Sequence, residues 1–179
     1  SNTEQYYFEV KPNNKDEVLS RLIDIYNPKL SVIFCNTKKK VDELTADLQG
    51  RGYFAEGLHG DLKQQQRDRV MESFRKGKTE ILVATDVAAR GIDIPELSHV
   101  FLYETPEDSE SYVHRAGRTG RAGAGGTAIS LVDVREKMEL ARIAKKHKLV
   151  MREKPAPDKT EVQNIVSERL TTRLEHQFR

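Results

Sequence analysis

Short runs of β-branched and aromatic residues alternate along the chain with stretches whose apolar residues recur at helical spacing. The runs YYFEV near residue 8, SVIFC from 31, YFAEGL from 53, ILVA from 81, VFLY from 100 and TAISLV from 127 predict strands. Between them, Val18, Leu22 and Ile25 with Tyr26, then Val41, Leu44 and Leu48, then Val70, Met71 and Phe74 predict helices. A further helix after the last strand carries Met138, Ala141 and Ala144. Strands and helices in strict alternation predict right-handed crossovers and a parallel sheet with helices on both faces. The nearly continuous apolar runs fit strands buried on both sides. The expected fold is an α/β doubly wound layer sandwich, in which ligand-contacting residues gather where strands run out at their carboxyl ends.

The segment KPAPDKTEV breaks this pattern with two prolines and no core residues, and reads as a linker. Val162, Ile165, Val166, Leu170 and Leu174 then predict an amphipathic helix that packs on this domain or opens another. The expected division is one domain over 3–150 and a linker with a helix over 151–179, leading to a C-terminal extension. A chain of 179 residues can fill one core but not two ordinary domains.

Composition narrows the partners. Hydrophobic residues make up 37% and charged residues 32%, and no apolar run approaches the roughly 20 residues a membrane span needs. The net charge of +2 places any nucleic-acid binding on local basic groups rather than on a global field. Cys35 is the single cysteine, so neither an intramolecular disulfide nor a thiolate metal site can form. It reads as a small buried hydrophobe of a protein in a reducing, cytoplasmic compartment.

Four stretches carry candidate chemistry. HRAGRTGR, after a short helix starting near Ser109, sets Arg115, Arg118 and Arg121 among glycines, and five of the eleven glycines fall between 117 and 126. Arginines on such a loop suit phosphoryl oxygens, or are solvated and paired locally. The sequence contains no GxxxxGK[ST] loop, so a phosphoryl-transfer site built on these arginines needs parts from elsewhere. In ATDVAARGID, Thr85 can donate to a phosphate oxygen and Asp93 can accept from a ribose hydroxyl; alternatively Asp86 caps a helix and Asp93 is a turn residue. In HGDLKQQQR, Gly60 makes a turn, Asp61 an N-cap, and Gln64 and Arg67 share a helix face fit for a phosphate backbone or for solvent. His59 reads as a hydrogen-bonded structural histidine. In CNTKKK, Thr37 and Lys38 stand at the same sheet edge, although a lysine run is equally a solvated helix surface.

Taken in order, IFCNTKK, HGDLKQQQR, ILVATDVAARGIDIP and YVHRAGRTGRAG resemble the motifs of the C-terminal RecA-like lobe of DEAD-box ATP-dependent RNA helicases of bacterial type, over about residues 4–150. His114, in an HR-x-GR-x-x-R pattern, favours an RNA helicase over DNA-unwinding and DEAH-type relatives, which usually have glutamine there. The resemblance implies that Arg118 and Arg121 reach the γ-phosphate of ATP held by the N-terminal lobe of the same polypeptide, which would also hold most of the Mg2+ coordination. It implies that Gly91 and Asp93 contact the nucleotide and that His114 and Arg115 couple the lobes. It places Thr37, Lys38, Gly60, Asp61, Gln64, Arg67 and Thr85 along the RNA backbone, where contacts ignore base identity. Ala116 stands where the family often has isoleucine, and Leu102 and Glu104 where asparagine and aspartate are usual, so no role is carried over to those positions. The alternatives are a DNA translocase lobe of the same superfamily and a protein-docking module, with oligomerisation through the C-terminal extension a further expectation.

Overall fold

The computed structural model describes residues 3–90, 94, 97–119 and 125–177. Among them, seven strands form one parallel sheet: β1 (Thr3–Glu9), β2 (Ser31–Phe34), β3 (Ala55–Leu58), β4 (Ile81–Ala84), β5 (His99–Leu102), β6 (Gly126–Val132) and β7 (Arg152–Glu153), in the order β3-β4-β2-β5-β6-β1-β7. The helices are α1 (Lys15–Tyr26), α2 (Lys38–Gly50), α3 (Gln64–Arg75), α4 (Asp86–Arg90), α5 (Ser109–Ala116), α6 (Val134–His147) and α7 (Lys159–Gln177). This is the expected RecA-like α/β sandwich.

Every residue of β2 and β4 is buried, because both strands lie inside the sheet and are covered on both faces. Successive side chains point to opposite faces, so Val32 and Phe34 pack with Met71, Phe74, Tyr112 and Leu140 under α3 to α6. Ile33 packs instead with Val18, Leu22, Val41 and Leu44 under α1 and α2. Cys35 extends β2 into this second core, fully buried, and burial pushes its thiol pKa up. Gly57 lets α2 lie close to the edge strand, since a Cβ there would meet Thr45 Oγ1 at 3.0 Å and Val41 Cγ1 at 3.1 Å.

The helix after β6 presents a different face from the one expected. Met138 is 58% exposed and Ala141 is also exposed, while Glu136, Leu140 and Ile143 are buried. Residues 138, 141 and 144 do share one helical phase. The bulkier 136, 140 and 143 share another, and that one faces the sheet because it removes more apolar area from water.

Beyond residue 150, β7 pairs with β1 and α7 lies against α1. Val162 is buried there, and the Arg169 guanidinium donates to the Asp24 and Ile25 carbonyls at the end of α1. Those carbonyls have no partners within their own helix, and a cation beside them is doubly favourable. Val166, Leu170 and Leu174 remain exposed. Among the described residues, no helix is long and apolar enough to cross a membrane.

Candidate functional site

Two surfaces emerge at opposite ends of the strands. The first lies at the carboxyl ends of β3, β4 and β2, which are neighbours in that order. Thr37 follows β2 and caps α2, its hydroxyl accepting the Lys40 N–H at 3.1 Å. Lys38, in the first turn, donates to Asp61 Oδ1 at 2.9 Å, so the segment after β2 meets the segment after β3 across the end of β4. The Lys38 ammonium holds Asp61 below the usual carboxylate range. Both side chains are exposed, so a phosphate can displace the carboxylate at little cost.

Asp61 is not the cap of α3. The backbone turns first through a Leu62 N–H to His59 carbonyl bond of 3.2 Å, which delays the helix. Lys63 then takes the cap position, and the Gln66 side chain returns to its N–H at 3.0 Å. His59 is a structural histidine: its Nδ1 accepts the Asp61 N–H at 3.2 Å and its Nε2 lies 2.9 Å from Asp42 Oδ1, which assigns the proton to Nε2. Gly60 has nothing within 4 Å of where a Cβ would stand, so its backbone faces open space. Gln64 is exposed and donates to Asp68 at 2.8 Å, while Arg67, one turn on, has an enclosed Nε with no hydrogen-bond partner.

Thr85 ends β4 and is buried, its hydroxyl accepting the Ala88 N–H at 3.4 Å. Thr85 therefore occupies the capping role considered for Asp86, which is the first residue of α4 and is engaged elsewhere. Asp86 receives Arg115 in a two-pronged contact, Nε to Oδ1 and Nη2 to Oδ2, both at 2.7 Å. The same guanidinium donates to Asn36 Oδ1 at 2.7 Å and to the Glu104 carbonyl at 2.6 Å, and it lies 5.5 Å from the Phe34 ring centroid. Four of its five N–H donors are thus used, and the residue is 1% exposed. Arg115 faces the interior of this domain, whereas His114 beside it is exposed.

The second surface begins where α5 ends. Gly117 caps the helix through its N–H to the Val113 carbonyl at 2.8 Å. Thr119 then stands beside Leu97 and Thr3, at the amino ends of β5 and β1. Between them, Arg118 accepts the Leu97 N–H on its carbonyl and donates from Nη2 to the Ala89 carbonyl at 3.0 Å, which fixes it against the end of α4. Gly91, Asp93 and Arg121 lie outside the described residues.

Residue-type reasoning missed Asn36, Asp86 and Glu104 as partners of Arg115. A buried guanidinium requires a carboxylate, but Asp86 lies 29 positions away in the chain, and only the parallel pairing of β2 with β4 and β5 brings the three strand ends together. Of the positions that depart from the family pattern, Leu102 and Ala116 are simply buried. Glu104 is engaged: its carboxylate accepts the Asn36 N–H at 2.9 Å.

Comparison with known proteins places the fold in a family. The helicase conserved C-terminal domain matches residues 14–123. The DEAD-box ATP-dependent RNA helicase CshA of Bacillus subtilis is 46% identical over 178 residues, taking in 97% of this chain and 36% of that protein. The chain thus spans about a third of the length of the curated relatives it matches. The solved C-terminal domain of the DEAD-box protein Dbp5 superposes with a TM-score of 0.81 at 39% identity, covering 93% of this chain and 98% of that one. Dbp5 of S. cerevisiae, solved bound to RNA and ADP BeF3, gives a TM-score of 0.81 at 38% identity over 93% of this chain and 45% of its own. The chain belongs to the helicase conserved C-terminal domain family, as the C-terminal domain of a DEAD-box protein.

Proposed function

We propose that this domain binds the RNA backbone along its carboxyl edge and supplies arginines from its other surface to ATP held by an N-terminal lobe, so that hydrolysis drives local opening of an RNA duplex. The observation that carries the reading is the convergence of three separate segments on adjacent strand ends. Thr37 and Lys38, Gly60 to Arg67, and Thr85 come together through the sheet order and the Lys38–Asp61 contact. Hydroxyls, a lysine, an exposed amide and an unobstructed glycine backbone are groups that grip phosphates and 2′-hydroxyls without reading bases. Dbp5 of S. cerevisiae, similar in fold, has been solved bound to RNA and ADP BeF3, which supports the same chemistry here.

Arg118 and Arg121 are the proposed arginine fingers, stabilising charge on the γ-phosphate as its bond breaks. Gly91 and Asp93 are the proposed nucleotide contacts, with Asp93 near the ribose. His114 faces outward and is the member of its pair available to another lobe, while any coupling through Arg115 passes through the placement of α5. Among the described residues, no cluster of three or more His, Cys, Asp or Glu side chains is arranged to hold a metal ion. The Mg2+ that accompanies ATP is proposed to be held mainly by the N-terminal lobe.

Lys38→Ala tests the RNA surface. In the full-length protein, RNA affinity should fall several-fold irrespective of sequence, and the slope of log affinity against log salt should shrink by about 1, as expected for one lost phosphate contact. An unchanged salt slope would remove Lys38 from the interface. Stimulation of turnover by duplex DNA rather than RNA would favour the translocase reading.

A further inference from the structure

We propose that Asn36 and Glu104 are positioning residues that make the arginine-bearing turn answer to RNA. The proposal rests on the RNA reading of the carboxyl edge. Asn36 immediately precedes Thr37 and Lys38, and both ends of its amide are engaged: Oδ1 accepts from Arg115 at 2.7 Å, and Nδ2 donates to the Thr105 carbonyl at 3.0 Å. Its backbone N–H donates to Glu104 Oε1 at 2.9 Å, and the Glu104 carbonyl accepts from Arg115 at 2.6 Å. Asn36, Glu104, Thr105 and Arg115 therefore close a ring of hydrogen bonds that ties the end of β2 to the end of β5 and to α5. Asp86, next to Thr85, joins the end of β4 to the same guanidinium.

The two strand ends that carry Thr37 and Thr85 are thus both fastened to a side chain three residues before Arg118. The guanidinium is planar, with its donors in a fixed fork, and it is closed off from water that could replace a broken bond. A shift of Asn36 or Asp86 on binding RNA must either break short bonds inside the domain or move Arg115, and with it the end of α5. The second course keeps the bond between the displaced residue and the guanidinium and passes the strain to its other partners. Arg118 is held to the end of α4, which starts at Asp86, so the same displacement reaches it from two sides. Glu104 is the member of the ring that best separates positioning from folding. Its side chain is only half-buried, and removing the carboxylate leaves its carbonyl bond to Arg115 in place.

The test uses the full-length protein with Glu104→Ala, Glu104→Gln and Asn36→Ala. Turnover at saturating RNA should fall about tenfold in E104A, the size reached by residues that modulate coupling between sites. RNA affinity without nucleotide should stay within about twofold, and RNA-independent turnover should be unchanged. E104Q keeps an acceptor oxygen facing the Asn36 N–H and should recover most of the loss, whereas N36A should lose at least as much as E104A. The proposal is overturned if E104A matches the parent at saturating RNA, if its RNA-independent turnover falls in the same proportion, or if E104Q is damaged equally. A parent protein that neither binds RNA nor is stimulated by it would overturn the RNA reading and this proposal together. Stimulation in the parent with indifferent variants would overturn the positioning pair alone.

Discussion

Replacing Arg115 with alanine should destabilise the domain by about 3–5 kcal/mol, the range for breaking one side of a buried ion pair. Arg115 is the largest fully buried side chain among the described residues, and its loss leaves Asp86, the Asn36 amide and the Glu104 carbonyl without their donor, beside an empty volume under Phe34. The Asp86 side chain is 22% exposed, so water recovers part of its solvation, which favours the lower end of the range. For a domain of this size each kcal/mol moves Tm by about 2–4 °C. Arg115→Lys should rescue little, because an ammonium cannot make the two-pronged contact with Asp86 while also reaching Asn36 and Glu104. Denaturant unfolding of the purified domain measures the effect directly. A loss under about 1 kcal/mol would mean that the strand ends hold their places without the guanidinium.

Removing either proposed finger should leave stability nearly unchanged and collapse turnover. In the full-length enzyme, Arg118→Ala and Arg121→Ala should each lower the rate of the chemical step by on the order of a thousandfold, the lower end of what arginine fingers supply. RNA affinity should be spared, because Arg118 stands at the amino ends of the strands while the proposed RNA surface lies at their carboxyl ends. Single-turnover hydrolysis separates the chemical step from product release. Unchanged rates in both variants would remove the finger assignment.

These contrasts follow from how the fold distributes information. The strands and the sheet edge were legible because a buried parallel strand demands an unbroken apolar run such as SVIF or ILVA, and its carboxyl end demands a polar break. The buried face of α6 was not legible: Met138 with two alanines and Leu140 with Ile143 offer two apolar phases, and only the sheet selects between them. The cap of α3 was hidden for a local reason, since a turn at His59–Leu62 moves the helix start past Asp61. By residue type alone Arg115 looked like one of three similar arginines on a glycine-rich stretch, and only the family resemblance set it apart. Its separation from Arg118 depends on long-range partners at Asn36, Asp86 and Glu104 that no local pattern announces. Arg115 and Arg118, three residues apart, point to different places, one into the interior and one to the end of α4, because α5 ends between them and the chain passes to the amino side of the sheet.

If this domain holds one half of an ATPase site and an RNA-binding edge, the steady-state ATPase of the purified chain, with and without RNA, will show it. Turnover should stay at background in either condition, with RNA-stimulated hydrolysis appearing only when the domain is joined to a lobe that carries the phosphate-binding loop. Appreciable RNA-stimulated hydrolysis by this chain alone would rule out the half-site reading.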